Sequence, residues 1–377
     1  MALVAPFLKV FGFGKGFLSG AVQALKKARN TLNLSVYVLI AVVCVSIQAY
    51  IRARKFIIML SRDGFLKSCF VICALLGLVY TACSQGGVVD SHDRPEVFAP
   101  GIVSSPFEEV AATFMPDGNT VYFAQGTISM EICYSERVAG QWTKPHVASF
   151  SGRWGDWDPF LSPDGKQIYF VSNRPLDTAG DNKLRRSTHL WYADWLGEDH
   201  WSEPKCLNGS WNMDGIGNYA PTVSLNRNLY FYSPQRDKTG KGKSFFSQWK
   251  GDHYGEPIAL MLNGNEEVND PYISPDEGYI IFVSGNDLYI SYRQGEGWGA
   301  GERLGPQVND GSSIYDPTVS PDGRTLYFTS TRIKGYYKRD PKDLPLDYDG
   351  LTKEMNGIFN GKGNIFMIAI HPKKATS

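Results

Sequence analysis

The last two thirds of the chain alternate short apolar runs with polar turns, and the order of these elements recurs. An eight-residue phrase appears three times, as Asp158–Gly165 (DPFLSPDG), Asp270–Glu277 (DPYISPDE) and Asp316–Gly323 (DPTVSPDG). Two degenerate copies begin at Ala111 and Ala220. The Pro-Asp-Gly segment favours a tight turn, because Pro presets φ and Gly accepts a positive φ. Recurrence at intervals of about 46 to 62 residues predicts a repeat protein.

Each copy is predicted to contribute four strands. The first precedes the turn, and the others follow it in runs rich in β-branched and aromatic residues. The second strands are predicted at Gln167–Ser172, Asn228–Ser233, Tyr279–Ser284 and Thr325–Ser330. The third strands are predicted at His189–Ala193, Asp287–Ser291 and Asn364–Ile368. The fourth strands, most of which carry the Pro tolerated on sheet edges, are predicted at Gln141–Pro145, His200–Pro204, His253–Pro257 and Glu296–Ala300.

Four-stranded sheets packed around a common axis form a β-propeller. The sequence therefore predicts an all-β, five-bladed β-propeller with four-stranded blades over residues 95–377. The blades are expected near residues 106–150, 151–210, 211–264, 265–310 and 311–370. The fifth copy lacks a fourth strand. Residues 95–103 contain the Pro that is typical of an outer strand, so we expect them to complete the fifth blade and close the ring.

The repeated pattern x-Pro-x-x-Ser-Pro-Asp-Gly-x-x-x-Tyr-Phe-x-Ser-x-Arg, with its Trp-x-x-Pro segments, resembles the TolB-like, WD40-like Pro-Asp repeat propellers of bacterial envelopes. The resemblance covers roughly residues 95–370. It implies the propeller fold and an envelope location. It does not define a function, because propellers support many unrelated activities.

The front of the chain has a different composition. Residues 32–51 form an uncharged, largely apolar run that is long enough to cross a bilayer. Residues 59–83 resemble a bacterial lipoprotein signal, which implies lipid attachment at Cys83. Residues 1–58 would then be an over-extended start, and 84–94 a tether. The alternative keeps both apolar segments as membrane anchors. Either interpretation places the propeller in the cell envelope, on the periplasmic face of a membrane.

The charge balance gives no reason to expect a nucleic-acid partner. The chain has 38 Lys and Arg against 38 Asp and Glu, and no basic surface with interleaved aromatic residues is evident in the propeller. We expect an envelope protein, a peptide or a glycan as the partner. No cofactor motif or metal-ligand spacing occurs, so neither is predicted. Long loops at 176–187 and 333–363 are typical places for recognition.

Candidate binding residues lie where the innermost strands begin. If the first strand of each repeat lines the channel, Asp158, Asp270 and Asp316 converge at one mouth. The second strands return to the same end, where Arg174, Arg236 and Arg332 follow them. Asp–Arg pairs would be structural links between strands. Unpaired members would form a charged site for a ligand or cation. Trp154 and Trp157 are further candidates, since aromatic rings stack on sugars and peptide groups.

The carboxyl groups also permit an enzymatic interpretation. Five-bladed propellers include glycoside hydrolases that place three acids at the channel. Asp158, Asp270, Asp316 and Glu109 would form such a set, with Glu131 as a further acid of the first blade. We expect a non-enzymatic binding module, with a glycan-acting hydrolase or lyase as the alternative. Three or more acids facing one open cavity without Arg partners would favour the enzyme, whereas Asp–Arg pairs would favour the binding module.

Overall fold

The structure, a computed structural model, describes residues 88–90, 93–127, 129–176, 187–197, 200–213, 215–236, 243–262, 267–332, 342 and 344–373. All of them belong to the unit Gly86–Ser377. The apolar run 32–51, the signal-like segment 59–83 and Cys83 lie outside the described residues. Within the described ranges, no helix is long and apolar enough to cross a membrane.

Five antiparallel sheets follow one another along the chain, which confirms the predicted five-bladed propeller of four-stranded blades. The first blade contains β2 (Glu108–Phe114), β3 (Thr120–Gly126), β4 (Met130–Val138), β5 (Gln141–Trp142) and β6 (His146–Val147). The second contains β7 (Asp156–Leu161), β8 (Gln167–Ser172), β9 (His189–Gly197), β10 (His200–Trp201) and β11 (Lys205–Cys206). The third contains β12 (Tyr219–Val223), β13 (Leu229–Tyr232), β14 (Ser244–Ser247) and β15 (Ile258–Ala259).

The last two blades follow the same plan. The fourth contains β16 (Asn269–Ile273), β17 (Tyr279–Ser284), β18 (Asp287–Gln294), β19 (Gly297–Trp298) and β20 (Glu302–Arg303). The fifth contains β21 (Ile314–Val319), β22 (Thr325–Ser330), β23 (Asn364–Ala369) and β1 (Glu96–Val97). Its sheet order is β1-β23-β22-β21, so the N-terminal strand supplies the outer edge of the C-terminal blade. Glu96 pairs with Met367, and Val97 with Phe366.

The outer strands are divided into short pieces, and the prolines explain most of the divisions. In the first two blades Pro145 and Pro204 separate two pieces that both pair with the third strand. Pro has no N–H to donate, so it interrupts the hydrogen-bonded ladder. In the third blade the strand expected at residues 253–257 begins only at Ile258, directly after Pro257.

Apolar side chains of the middle strands fill the space between blades. In β3, Val121, Tyr122, Phe123 and Ala124 are all buried, because a neighbouring blade covers each face of the sheet. This explains why the middle strands read as continuous apolar runs rather than alternating ones. The segment expected to be a tether also contributes, since Val89 is buried in the core and the Val88 carbonyl accepts a hydrogen bond from the His371 N–H.

One helix, α1 (Tyr348–Met355), interrupts the fifth blade between β22 and β23. Asp347 caps its N-terminus, since its carboxylate accepts a hydrogen bond from the Gly350 N–H at 2.7 Å. None of the helix residues is buried. The helix belongs to the long insertion 333–363, of which residues 342 and 344–363 are described.

Candidate functional site

Each innermost strand carries a β-bulge at the same place in the repeat. The register shifts between Trp157 and Phe160, between Asn269 and Tyr272, and at the equivalent points of the other three blades. In four blades a Pro follows the bulged residue and cannot join the ladder. The bulge bends the strand and redirects the side chain, which brings one residue per blade to the channel.

The five bulged residues share a left-handed backbone conformation. Their φ angles are 51° at Asp158, 44° at Asp270, 49° at Asp316, 56° at Ala111 and 45° at Ala220. Such a conformation costs about 1 to 3 kcal/mol for a residue other than Gly. Asp tolerates it better than Ala does. Because two blades adopt it with Ala, the bulge does not require a carboxyl group.

The bulges form the floor of an open cavity of about 530 Å³ at one mouth of the channel, which we call the funnel. Its carboxyl groups belong to Glu108, Asp158, Asp270 and Asp316. Its aromatic rings belong to Trp157, Tyr219, Tyr232 and Tyr315. No Lys, Arg or His lines the funnel among the described residues. The three aspartates also line a small void of about 20 Å³ further along the channel, which has room for about one water molecule.

The three aspartates differ in their hydrogen bonds. The Asp158 carboxylate accepts a bond from the Ala220 N–H at 2.8 Å, which links the second blade to the third. The nearby backbone of Asp316 favours the ionised form of the Asp270 carboxyl group. No described residue donates a hydrogen bond to the Asp316 side chain, which feels the charges of the other two acids and of Glu108.

Burial, together with repulsion at Asp270 and Asp316, favours the protonated forms of these acids. Burial raises the pKa of Asp158 to about 6, against the effect of the Ala220 N–H. Burial and the charge of Asp158 raise the pKa of Asp270 to about 7. The pKa of Asp316 is raised well above its ordinary value by burial and by the charges of Asp158, Asp270 and Glu108. No neighbouring cation offsets these effects in the described part of the chain, so the floor attracts positive charge or protons.

The acid of the first blade that reaches the funnel is Glu108, not the expected Glu109. Glu109 is buried, and its carboxylate accepts hydrogen bonds from the Ser105 N–H and hydroxyl and from the Gln125 amide. Successive side chains of a strand point to opposite faces, so neighbouring residues have opposite surroundings. Glu108 accepts a hydrogen bond from the Tyr315 hydroxyl at 3.2 Å. Glu131, in β4, is not among the residues that line the funnel.

The expected Asp–Arg pairs between repeat positions do not form. Arg174 pairs with Asp156, two residues before Asp158, at 2.6 Å. Arg236 donates to the backbone carbonyls of Ser210 and Trp211. Arg332 donates to the carbonyls of Gln307 and Val308 and lies 3.0 Å from Asp310. The bulge explains the difference, because it turns the three aspartates into the channel and away from the arginines.

The two candidate tryptophans occupy different places. Trp157 lines the funnel, directly before the bulge of the second blade. Tyr219 and Tyr315 hold the same repeat position in the third and fifth blades, and they extend the aromatic wall. Trp154 is half-buried outside the funnel lining, with the Arg153 guanidinium 5.9 Å from its ring centre. The tyrosines were not singled out from the sequence, although their equivalence to Trp157 is visible in the repeat.

The described residues contain no group of three or more His, Cys, Asp or Glu side chains placed to hold a metal ion. Cys133 and Cys206 are free thiols. Burial raises the pKa of Cys133 to about 12 and that of Cys206 to about 11. Thiolates are the reactive form of cysteine, so both side chains are chemically inert at neutral pH.

No protein-family model and no curated protein matches the chain. Among solved structures, the chain is similar to a putative TolB from Agrobacterium tumefaciens, with 15% identity and a TM-score of 0.40 over 71% of this chain and 92% of that one. TolB from Acinetobacter baumannii has 15% identity and a TM-score of 0.39 over 71% of this chain and 55% of that one. A thermostable family-43 glycoside hydrolase has 12% identity and a TM-score of 0.45 over 74% and 98%. Similarities this low carry no argument about function.

Proposed function

We propose that the protein is a binding module of the bacterial envelope that receives part of a protein, peptide or glycan partner in the funnel. Export and anchoring through Cys83 or the apolar run 32–51 belong to the same proposal. One observation carries it: the funnel is an open cavity of about 530 Å³ whose wall combines four carboxyl groups with four aromatic rings. Convergent polar groups in a partly apolar cavity are typical of ligand sites.

The strain and the charge of the floor support a role in binding rather than in folding. Asp158, Asp270 and Asp316 hold a costly backbone conformation, and their carboxyl groups repel one another. The fold gains little from either feature, since Ala111 and Ala220 form the same bulge without a charge. Groups that weaken the scaffold and face a cavity are typical of functional sites.

A second candidate is the hydrolysis of a glycan, and the acids give a specific reason for it. Three or more acids face one open cavity without Arg partners, which is the arrangement that favours an enzyme. A general acid works best when its pKa is near the working pH, and the pKa values of Asp158 and Asp270 are raised to about 6 and 7. Both candidates require a ligand to bind in the funnel, so binding is the primary proposal.

Labelling with 5-fluorotryptophan tests the binding proposal, because Trp157 lines the funnel. The Trp157 resonance is assigned by its loss in Trp157→Phe. The labelled protein is then titrated with neutral oligosaccharides and with short peptides. We expect at least one class to shift this resonance, and Asp316→Asn to weaken the response. Titrations in which every compound leaves the resonance unmoved would refute the proposal.

The same oligosaccharides test the hydrolase. Release of reducing ends by the parent protein, and its loss in Asp158→Asn, Asp270→Asn or Asp316→Asn, would support hydrolysis. Binding without turnover in the parent would reject the enzyme and leave the binding module.

A further inference from the structure

The floor of the funnel carries carboxyl groups without a positively charged side chain among the described residues. Glu108, Asp158, Asp270 and Asp316 share it, and no described Lys, Arg or His lines the cavity. Like charges this close disfavour ionisation, whereas an opposite charge within about 4 to 6 Å favours it. A bound cation would therefore offset the repulsion between these carboxyl groups, whereas an anionic ligand would increase it.

Asp316 is the side chain that most clearly lacks a partner. It lines the cavity, is half-buried, and accepts no hydrogen bond from any described residue. Carboxyl groups withdrawn from bulk water are normally hydrogen-bonded or paired. Asp158 meets this expectation through the Ala220 N–H of the next blade, and the nearby backbone of Asp316 favours the ionised form of Asp270. The free acceptors of Asp316 therefore point to a donor that comes from a ligand.

An aromatic collar surrounds the entrance to this floor. Trp157, Tyr219 and Tyr315 precede the bulged residue in their blades, and the Tyr232 ring lies 6.1 Å from that of Tyr219. Trp157 and Tyr315 both pack against an apolar cluster of the first blade that includes Val110 and Met130. Aromatic faces attract organic cations, most strongly when water is excluded. A collar of rings above carboxyl groups suits an ammonium or guanidinium group better than a neutral one.

The helix α1 shows a further apolar surface on the same face of the propeller. Leu344, Tyr348, Leu351, Met355 and Phe359 recur at intervals of three or four residues, and Tyr348 and Met355 are 80% and 64% exposed. Tyr348, Leu351 and Met355 belong to the helix, where this spacing places them along one side. Exposed apolar stripes of this kind bind proteins.

The chain that follows α1 joins the helix to the funnel wall. Asn360 donates a hydrogen bond to the Pro106 carbonyl at 2.9 Å. Gly363 accepts one from the Glu109 N–H and lies so close to Tyr315 that a Cβ there would be 2.4 Å from the Tyr315 hydroxyl. The apolar stripe therefore belongs to the rim between the fifth and first blades, beside the acidic floor.

We infer that the funnel holds the ammonium or guanidinium group of a Lys or Arg side chain from a polypeptide partner, whose neighbouring apolar residues pack on α1. The inference rests on the proposed binding function and specifies its ligand. The acidic floor and the collar select the cation, and the apolar stripe selects a polypeptide over a sugar.

Short blocked peptides test the cation directly on the full-length protein. Acetyl-Gly-Lys-Gly-amide and acetyl-Gly-Arg-Gly-amide are titrated while the Trp157 fluorine resonance is observed, with the acetyl-lysine peptide as the uncharged control. We expect the two basic peptides to shift the resonance and the control not to. Asp316→Asn should weaken binding of the basic peptides by at least about tenfold. Asp322→Asn, in an exposed turn of the same blade, should leave it unchanged.

A longer peptide tests the contribution of α1. Acetyl-Gly-Lys-Gly-Leu-Phe-Leu-amide should bind more tightly than the tripeptide, and the double substitution Tyr348→Ser, Met355→Ser should remove that gain. Affinity for the tripeptide should be unaffected by the double substitution, because its cation occupies the funnel alone. An equal affinity of both peptides for the parent protein would overturn the role of α1.

Glucose and glucosamine separate the possible failures. If glucose binds as tightly as the basic peptides and Asp316→Asn does not affect it, the cation inference is wrong while the binding proposal stands. If glucosamine binds but the lysine peptide does not, the ligand is an amino sugar and the polypeptide is rejected. If no sugar and no peptide, charged or uncharged, moves the Trp157 resonance, the proposed function fails as well.

Discussion

Asp156 and Asp158 lie two residues apart on β7, yet their surroundings are opposite. Asp156 is buried and pairs with Arg174 at 2.6 Å, and it accepts a second bond from the Ser151 hydroxyl at 2.7 Å. Asp158 accepts one backbone N–H, and its charged neighbours are other carboxyl groups. The scaffold gives Asp156 a cationic partner, although burial still raises the pKa of its carboxyl group. Asp158 has no cationic partner among the described residues.

The same contrast extends around the ring. Three blades place Asp at the bulge and two place Ala, with nearly equal φ angles. The backbone is therefore the repeated structural element, and the carboxyl group is an addition to it. This separates the acids that hold the propeller together from the acids that are available to a ligand.

Breaking the ion pair between Asp156 and Arg174 should have the largest effect on stability. Arg174→Met leaves the buried Asp156 carboxylate without its cationic partner, and removing one partner of a buried ion pair costs about 3 to 5 kcal/mol. Urea unfolding monitored by tryptophan fluorescence measures the loss. Arg236→Met is the matched control, because the described hydrogen bonds of Arg236 go to the backbone carbonyls of Ser210 and Trp211, and it should cost less. A loss below about 1 kcal/mol for Arg174→Met would show that the pair does not stabilise the blade.

The pH dependence of stability should report on the acids of the floor. Burial raises the pKa of Asp158 to about 6, and burial with the charge of Asp158 raises that of Asp270 to about 7, so these groups bind protons more tightly in the folded chain. Their contribution to stability therefore falls as pH rises from about 4 through these values. Glu108 and Tyr315 face the same acids.

The triple substitution Asp158→Asn, Asp270→Asn, Asp316→Asn should remove this dependence. From pH 5 to pH 8 the parent should lose stability relative to the variant, measured by urea unfolding at each pH. Subtracting the two curves cancels the groups that they share, including the histidines. A difference that stays constant across this range would contradict the raised pKa values.

Adding a carboxyl group to the floor tests the same repulsion by the opposite change. Ala220→Asp places a fourth acid at an equivalent bulge, where Asp suits the positive φ better than Ala. We expect a loss of about 1 kcal/mol at pH 8, from repulsion of Asp158 and Asp270, and little or no loss at pH 5. Equal stability changes at the two pH values would show that the floor does not concentrate negative charge.

A similarly small effect, without pH dependence, is expected in the turns. Asp322, in the Pro-Asp-Gly turn of the fifth blade, accepts hydrogen bonds from the Arg324 N–H at 3.1 Å and from the Ser320 hydroxyl. These contacts lower its pKa. Asp322→Ala should cost about 1 kcal/mol, without changing the pH dependence between 5 and 8. A loss comparable with that of Arg174→Met would contradict the ranking.

The fold could be predicted from the sequence because strand runs, turns and edge prolines recur at equivalent positions of each repeat. The contacts of the site residues could be predicted only in part. The bulge at Asp158 changes which side chains face the channel, so Arg174 meets Asp156 instead. In the first blade the bulge occurs at Ala111 without a following Pro, and nothing in that sequence distinguishes Glu108 from Glu109. Tyr219 and Tyr315 could have been identified by aligning them with Trp157.

A side-by-side unfolding measurement of Asp156→Asn and Asp316→Asn at pH 8 tests the central claim most directly. Both substitutions replace one carboxyl group within the propeller by an amide and keep the side-chain shape. We predict that Asp156→Asn lowers the free energy of unfolding by about 3 to 5 kcal/mol, while Asp316→Asn leaves it unchanged or raises it. A loss for Asp316→Asn as large as that for Asp156→Asn would show that the floor of the funnel is part of the scaffold.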